Sequence, residues 1–288
     1  MWDLFIAPFT EFAFMRRALA GAIILAVSAG PLGVFLMLRR MSLAGDAMSH
    51  AILPGAAAGF LVSGLAVLPM TLGGFAAGII VALLSGLVSR NTVLREDISL
   101  AALYLISVAL GVVLISLRGS NVDLLHVLFG TVLALDNDAL LLIGAVASLT
   151  LVGLALIWRP LVADSFDPAF LRSVSRAGQP AHMVFLGLVV LNLVAGFQAL
   201  GTLLAVGLMM LPAAAARFWV RRLDAIVGLS VLIAIAASYL GLVASFAWNL
   251  ASGPAIILVA GAFYIVSLLA GPRGVLLGRL PARRHRIA

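Results

Sequence analysis

The chain has 288 residues, of which 64% are hydrophobic and only 10% are charged. Its apolar residues form repeated blocks of about twenty, each long enough to cross a bilayer core of ~30 Å, so we predict an all-α polytopic membrane protein. A β-barrel is excluded because its strands alternate apolar and polar residues, whereas these blocks are continuous. The net charge of +7 favours contact with anionic inner-leaflet lipid over binding of nucleic acid.

Lysine and cysteine are both absent, and the eighteen basic residues are all arginine. A phosphate-binding loop uses its lysine to reach the nucleotide phosphates, so we expect no ATPase site and no enzymatic activity in this chain. Energy for any transport must then come from a partner protein or from an ion gradient. Without thiolates, the chain also cannot build a soft-metal site from cysteine.

The apolar blocks predict nine membrane spans within a single domain of residues 1–288. The spans lie near residues 18–38, 43–63, 67–89, 99–117, 138–158, 181–198, 200–217, 223–244 and 254–271. Eight spans remain possible, because the turn between 181–198 and 200–217 is very short. Residues 1–15 lack the basic start of a secretory signal, so we expect no cleavable leader.

The arginines predict the orientation of these spans. If the arginine-rich tail from residue 273 onward is cytoplasmic, alternation through nine spans leaves only Arg16, Arg17 and Arg118 outside. The N-terminus is then periplasmic and the C-terminus cytoplasmic.

The second predicted span contains an ionisable pair, Asp46 and His50, among small apolar residues. Four residues make about one helical turn, so both side chains face the same way and could meet one ligand. A carboxylate and an imidazole on one face provide half of a divalent-metal site. The alternative is structural, with Asp46 as a helix-start carboxylate and His50 packed against a carbonyl. Pro54 is predicted to free the backbone carbonyl of His50.

The outer loop 118–137 contains a second carboxylate and imidazole, Asp123 and His126, three positions apart. They are a weaker candidate for metal binding, because a histidine at the level of the lipid headgroups needs no special function. The apolar middle of this loop is predicted to lie along the membrane surface or dip into it.

The cytoplasmic segment 159–180 is long enough to form a surface helix. Asp167 and Pro168 are a typical helix start, and Phe166, Phe170 and Val174 recur at helical spacing. Such a helix could dock on a cytoplasmic partner, or it could be a connector lying on the headgroups.

Four segments resemble the permease subunits of bacterial zinc and manganese ABC importers, and the likeness is greatest to the zinc branch. They occur in family order and span most of residues 20–270. The segments are GPLGVFLMLRRMSLAGDAMSHAILPG from Gly30, NVDLLHVLFGTVLAL from Asn121, QALGTLLAVGLMMLPAAAAR from Gln198 and SGPAIIL from Ser252.

The resemblance implies a bacterial inner-membrane permease that works as two copies. It implies a dimer of a separate cytoplasmic ABC ATPase and a periplasmic metal-binding protein as partners. The metal-handling Asp and His of the family match Asp46 and His50. The coupling helix of the family matches a segment that contains Phe166, Asp167, Pro168, Phe170, Arg172, Ser175 and Gly178.

Several residues depart from the family pattern. In the coupling segment the family usually has Ala and then Gly four residues later, where this chain has Leu171 and Ser175, and Gly178 is displaced. The zinc branch often has Asp at the position of Thr131, and small or neutral residues at that of His126. These departures predict that the ATPase contact and the outer-gate ligation differ in detail from those of relatives.

The combined interpretation is an importer of a divalent transition metal, zinc first and manganese or iron second, with the ion as cargo and no permanently bound cofactor. Mixed nitrogen and oxygen ligands do not separate zinc from manganese. A rival class is an ion-coupled secondary transporter in which Asp46 and His50 relay protons. A third is a membrane scaffold or sensor, in which neither residue affects metal uptake.

Overall fold

The computed structural model describes residues 5–64, 66–93, 96–117, 135–175 and 177–275, and the regular secondary structure in these ranges is helical. The helices are α1 (Ala7–Glu11), α2 (Ala13–Leu38), α3 (Ser42–Ala51), α4 (Leu53–Ser63), α5 (Val67–Asn91), α6 (Glu96–Leu117), α7 (Asn137–Phe166), α8 (Pro168–Val174), α9 (Gly178–Leu200), α10 (Thr202–Arg217), α11 (Leu223–Trp248) and α12 (Ser252–Ala270). The predicted all-α polytopic fold is confirmed.

Within the described ranges, seven helices are long and apolar enough to cross a membrane: α2, α5, α6, α7, α9, α11 and α12. The other two predicted spans correspond to shorter elements. Segment 43–63 is divided between α3 and α4, and segment 200–217 is α10, whose 16 residues rise only about 24 Å. Nine segments therefore follow one another in the predicted order, but two of them are not single full-length helices.

The short turn between α9 and α10 is a real break. Gly201 has φ 93°, a left-handed conformation that glycine adopts without steric cost. Its N–H completes α9 by donating to the carbonyl of Phe197 at 3.1 Å, and its own carbonyl starts α10 by accepting from Ala205 N at 3.1 Å. One residue thus ends one helix and begins the next.

The centre of the molecule is built from α2 and α9, most of whose apolar length is buried. Helix α2 contacts α7, α9, α10 and α11. Fully buried side chains from α2 and α9, including Leu32, Phe35, Phe185 and Leu193, fill the space between them. Gly33 lets α2 approach α10 closely, since a Cβ atom there would overlap the backbone carbonyl of Met209. The periphery includes α6, most of which is exposed.

Candidate metal-transit site

The candidate site lies where the second predicted span is interrupted. Helix α3 ends at Ala51, and α4 begins at Leu53. Pro54 has no N–H to donate to the carbonyl of His50, which is its partner position in a continuous helix. That carbonyl instead accepts from the N–H of Ile52. The carbonyl predicted to be free therefore has a local donor.

Helix α6 stabilises this interruption from the side. The hydroxyl of Ser107 donates to the carbonyl of Ala51 at 2.8 Å, in a buried hydrogen bond between the two helices. Gly111 faces the same point, because a Cβ atom there would lie 3.1 Å from the backbone nitrogen of Pro54. The Ala51 carbonyl at the break thus accepts a hydrogen bond from a neighbouring helix, because buried polar backbone groups need a partner.

Asp46 and His50 lie on one face of α3, as their spacing predicts. The distance between His50 Nε2 and Asp46 Oδ1 is 3.8 Å, which is longer than a hydrogen bond. The Asp46 side chain is 61% exposed, and that of His50 is 35% exposed. Neither group is enclosed by its own chain, so both can reach a ligand that approaches this face.

A cavity of about 210 Å³ opens beside Asp46. Helix α6 contributes Asp97 and Tyr104 to its wall, and the turn before α3 contributes Arg40. The cavity therefore combines two carboxylates and one guanidinium. His50 lies next to this wall, since its ring centroid is 6.3 Å from that of Tyr104.

The sequence did not identify Asp97, Tyr104 or Arg40 as neighbours of Asp46. Asp97 is a carboxylate at the edge of a predicted span, where it resembles an ordinary helix start. It is 51 positions from Asp46, and no local spacing pattern joins residues so far apart. Only the packing of α6 against α3 brings them to one cavity.

The small residues around the pair do allow close helix packing, as predicted. Cβ atoms on Gly55 and Gly59 of α4 would clash with the backbone of α5. On α3, a Cβ atom on Gly45 would lie 2.8 Å from the Met210 methyl group. These contacts fill the space on the α5 and α10 sides, so the open space beside the pair is on the α6 side.

Metal-ligating side chains are few in the described part of the chain. No group of three or more histidine and acidic residues comes close enough there to hold an ion. Asp123 and His126, the second predicted pair, lie outside the described residues. A closed tetrahedral site needs four ligands, so Asp46 and His50 make at most half of one.

The segment predicted to couple to an ATPase forms its own short helix, α8. The side chain of Asp167 accepts from the N–H of Phe170 at 2.9 Å and caps this helix, whose first residue is Pro168. Phe166, Phe170 and Val174 are all exposed, whereas Leu171 is buried. Helix α8 also includes Arg172, and it ends at an extended Ser175.

Gly178 begins α9 and packs beneath α8. A Cβ atom there would lie 2.9 Å from Leu171 Cδ2 and 3.1 Å from Asp164 Oδ1. Gly178 and Leu171, which both depart from the family pattern, are thus in contact. Together they hold α8 against the end of α7.

Comparison with known proteins identifies the family. The model of the ABC 3 transport family matches residues 11–271. The chain belongs to the ABC 3 transport family. It is a multi-pass permease of a metal ABC importer of the inner membrane.

Three curated relatives cover nearly the whole permease. The manganese import system permease protein ScaB of Streptococcus parasanguinis is 34% identical over 93% of this chain and 95% of its own. The manganese transport system membrane protein MntC of Halalkalibacterium halodurans is 32% identical over 94% and 92%. The chelated iron transport system membrane protein YfeD of Yersinia pestis is 30% identical over 93% and 89%.

A solved structure supports the same assignment. PsaBC from Streptococcus pneumoniae, in complex with Fab, contains a chain with a TM-score of 0.84 and 31% identity. The match covers 96% of this permease and 99% of that chain. The predicted family is therefore confirmed, but the expected likeness to the zinc branch is not supported, because the names of these relatives refer to manganese and iron.

Proposed function

We propose that this permease imports manganese, as the membrane pathway of an ATP-driven transporter. The observation that carries the proposal is the 32–34% identity, over more than nine-tenths of the chain, to permeases named for manganese import. This replaces zinc, the first sequence interpretation, by its stated alternative. Asp46 and His50 provide one oxygen donor and one nitrogen donor, a set that zinc and manganese both accept, so the donor atoms did not separate the two.

Asp46 and His50 are proposed to hold the ion in transit. Carboxylate oxygens suit manganese, and imidazole nitrogen binds most first-row metals. Their exposure and their separation of 3.8 Å leave space for an ion and its remaining water. Two ligands bind less tightly than a closed site, and a conduit needs a site that releases its ion.

A second copy of the chain is proposed to complete the site. The Asp46 side chain is exposed within one chain, and the described residues form no cluster of three metal-ligating side chains. Two copies facing each other across a two-fold axis would present two carboxylates and two imidazoles to the pathway. Asp123 and His126 would contribute at the outer side, nearer to a periplasmic metal-binding protein.

Helix α8 is proposed to dock on a cytoplasmic ATPase. Phe170 and Val174 on α8 and Phe166 at the adjoining end of α7 are exposed, so this segment presents apolar side chains to a groove on the partner. The coupling segment from Phe166 to Gly178 would then pass movements of the ATPase to α7 and α9. This assignment agrees with the absence of lysine from the chain.

Reconstitution of the permease with its ATPase and binding protein tests the function. We expect ATP-dependent uptake of ⁵⁴Mn²⁺ into proteoliposomes, reduced at least ~10-fold by Asp46→Asn, within the range seen when metal sites are perturbed. Asp224→Asn is the matched control, since Asp224 is an exposed carboxylate on α11, a helix that does not pack closely against α3. Equal uptake by wild type and Asp46→Asn would remove the pair from the mechanism.

Competition with Zn²⁺ and Fe²⁺ in the same assay tests the choice of ion. Preferential uptake of zinc would overturn the manganese assignment, and preferential uptake of iron would place the permease with the function named for YfeD. Uptake by the permease alone, without ATPase or ATP, would instead support a secondary transporter.

A further inference from the structure

An ion pair joins the end of α2, which precedes the candidate metal site, to the end of α7, which precedes α8. Arg39, at the end of α2, contacts Asp164 near the end of α7 through Nη2 and Oδ2. The two residues are 125 positions apart in sequence. Their side chains are 13% and 16% exposed, so the pair is largely shielded from water. Shielding strengthens the attraction and makes the loss of either partner costly.

Aromatic side chains hold the arginine in place. Its guanidinium lies 5.8 Å from the ring centroid of Phe185 on α9. Phe185 contacts Phe35 edge-on at 6.1 Å, and Phe35 contacts Trp158 at 5.2 Å. The ion pair therefore contacts an aromatic cluster contributed by α7 and by the two buried central helices, α2 and α9.

A tight turn connects Arg39 to α3. The N–H of Met41 donates to Leu36 O at 2.8 Å and that of Arg40 to Met37 O at 3.2 Å. Arg40 has φ 59°, a left-handed conformation that is uncommon outside glycine. Such a doubly bonded helix end has little freedom. A displacement of Arg39 therefore moves the start of α3, and Asp46 lies only seven residues after Arg39.

Asp164 is equally close to the coupling helix. It lies two residues before the end of α7, and Oδ1 faces Gly178 at the start of α9. Asp167, three residues later, bonds back to Ala163 O through its N–H at 2.9 Å and caps α8. A displacement of α8 therefore reaches the Asp164 carboxylate through one helical turn.

We infer that the Arg39–Asp164 pair transmits the movement of α8 to α3 during the ATP-driven cycle, as a pair of positioning residues. This rests on the proposed function. The contact is made through Nη2, while Nη1 of Arg39 has no hydrogen-bond partner in the described part of the chain. A single-point contact breaks and re-forms more readily than a bidentate pair, which suits an element with two positions.

The test measures how many ATP molecules are hydrolysed per Mn²⁺ ion imported. The complete transporter is reconstituted with wild type, Arg39→Gln, Asp164→Asn, the double variant and Arg39→Lys. We expect each neutral variant to raise the ratio at least ~5-fold, the lower end of usual coupling effects. The double variant should match the singles, because residues that act as one unit are not additive. Arg39→Lys keeps the charge and should recover part of the coupling.

The ion pair between Arg222 and Asp224 is the matched control. Its atoms are 3.7 Å apart and its side chains are 86% and 73% exposed. Arg222→Gln and Asp224→Asn should leave the ratio unchanged, because an exposed pair between neighbours in sequence joins no two helices.

The ratio separates transmission from a merely structural role. If the ion pair only stabilises the fold, the variants will reduce the amount of folded transporter, but each folded complex will keep the wild-type ratio of ATP hydrolysed to Mn²⁺ imported. That result would overturn the inference. If a single variant is not recovered, the double variant carries the same prediction, because it leaves no unpaired buried charge. Failure of the proposed function itself looks different: the wild-type complex would then show no ATP-dependent manganese uptake.

Discussion

The central helices α2 and α9 differ from the broken pair α3 and α4 in burial and in the ionisable side chains they contain. Between Ala18 and Leu38, α2 contains no ionisable side chain, and most of α2 and α9 is buried. Helix α3 has an aspartate and a histidine, is interrupted after about three turns, and keeps Asp46 exposed. The stability of the fold and the proposed metal site thus depend on different helices, so we expect mutations in the two regions to have different effects.

The largest expected effect is on the scaffold. Gly33→Leu inserts a side chain where even a Cβ atom would overlap the carbonyl of Met209. Overpacking costs ~1–3 kcal/mol when side chains can move, and here two helix backbones must separate, so we expect loss of folded protein. Size-exclusion chromatography and thermal unfolding in detergent measure this.

Gly228→Leu is the control for that substitution. A Cβ atom at Gly228 of α11 meets nothing within 4 Å, so the variant should behave as wild type. If both variants fold equally well, close contact between α2 and α10 is not a requirement of the fold.

The second expected effect is on transport and not on stability. His50→Ala should reduce manganese uptake at least ~10-fold through the lost ligand, comparable to other perturbed metal sites. Its thermal midpoint should stay near that of wild type, because partly exposed side chains away from the core usually contribute within ~0.5 kcal/mol. Parallel uptake and unfolding measurements check both. A variant that unfolds early while each folded molecule transports normally would assign His50 to the scaffold instead.

The smallest effect concerns the support of the broken helix. Ser107→Ala removes the donor to the Ala51 carbonyl and should lower the free energy of unfolding by ~1 kcal/mol, with a several-fold loss of uptake as α3 loses its fixed position. Ser148→Ala is the matched control, since that hydroxyl bonds within α7 to Gly144 O. Equal uptake by the two serine variants would show that α6 does not position the candidate site.

Much of the fold was predictable because each helix has its own local signal. Apolar block length indicated where the helices lie, and Asp167 with Pro168 indicated the start of α8. Pro54 indicated a disturbed helix, but not that it divides into two at Ile52 or that Ser107 would bond to Ala51, since both depend on the packing of α6.

The candidate site was only half predictable for the same reason. Asp46 and His50 are one turn apart, so spacing identified them. Asp97 shares a cavity with Asp46, and Arg39 pairs with Asp164. The residues of each pair are far apart in sequence, and no local pattern predicts such contacts. Zinc and manganese accept the same oxygen and nitrogen donors, so residue types could not separate them, and the choice of manganese is proposed from the relatives alone.

The exposed apolar side chains around α8 affect how the cell handles permease that has not assembled with its ATPase. Phe170 and Val174 are exposed on this helix of seven residues, and Phe166 is exposed at the end of α7 just before it. If this segment docks on the ATPase as proposed, a permease made in excess of its ATPase would expose these apolar side chains to the cytoplasm, where chaperones and proteases recognise exposed apolar surface. Balanced synthesis of the two subunits is therefore expected, and orphan permease should be degraded faster than assembled transporter.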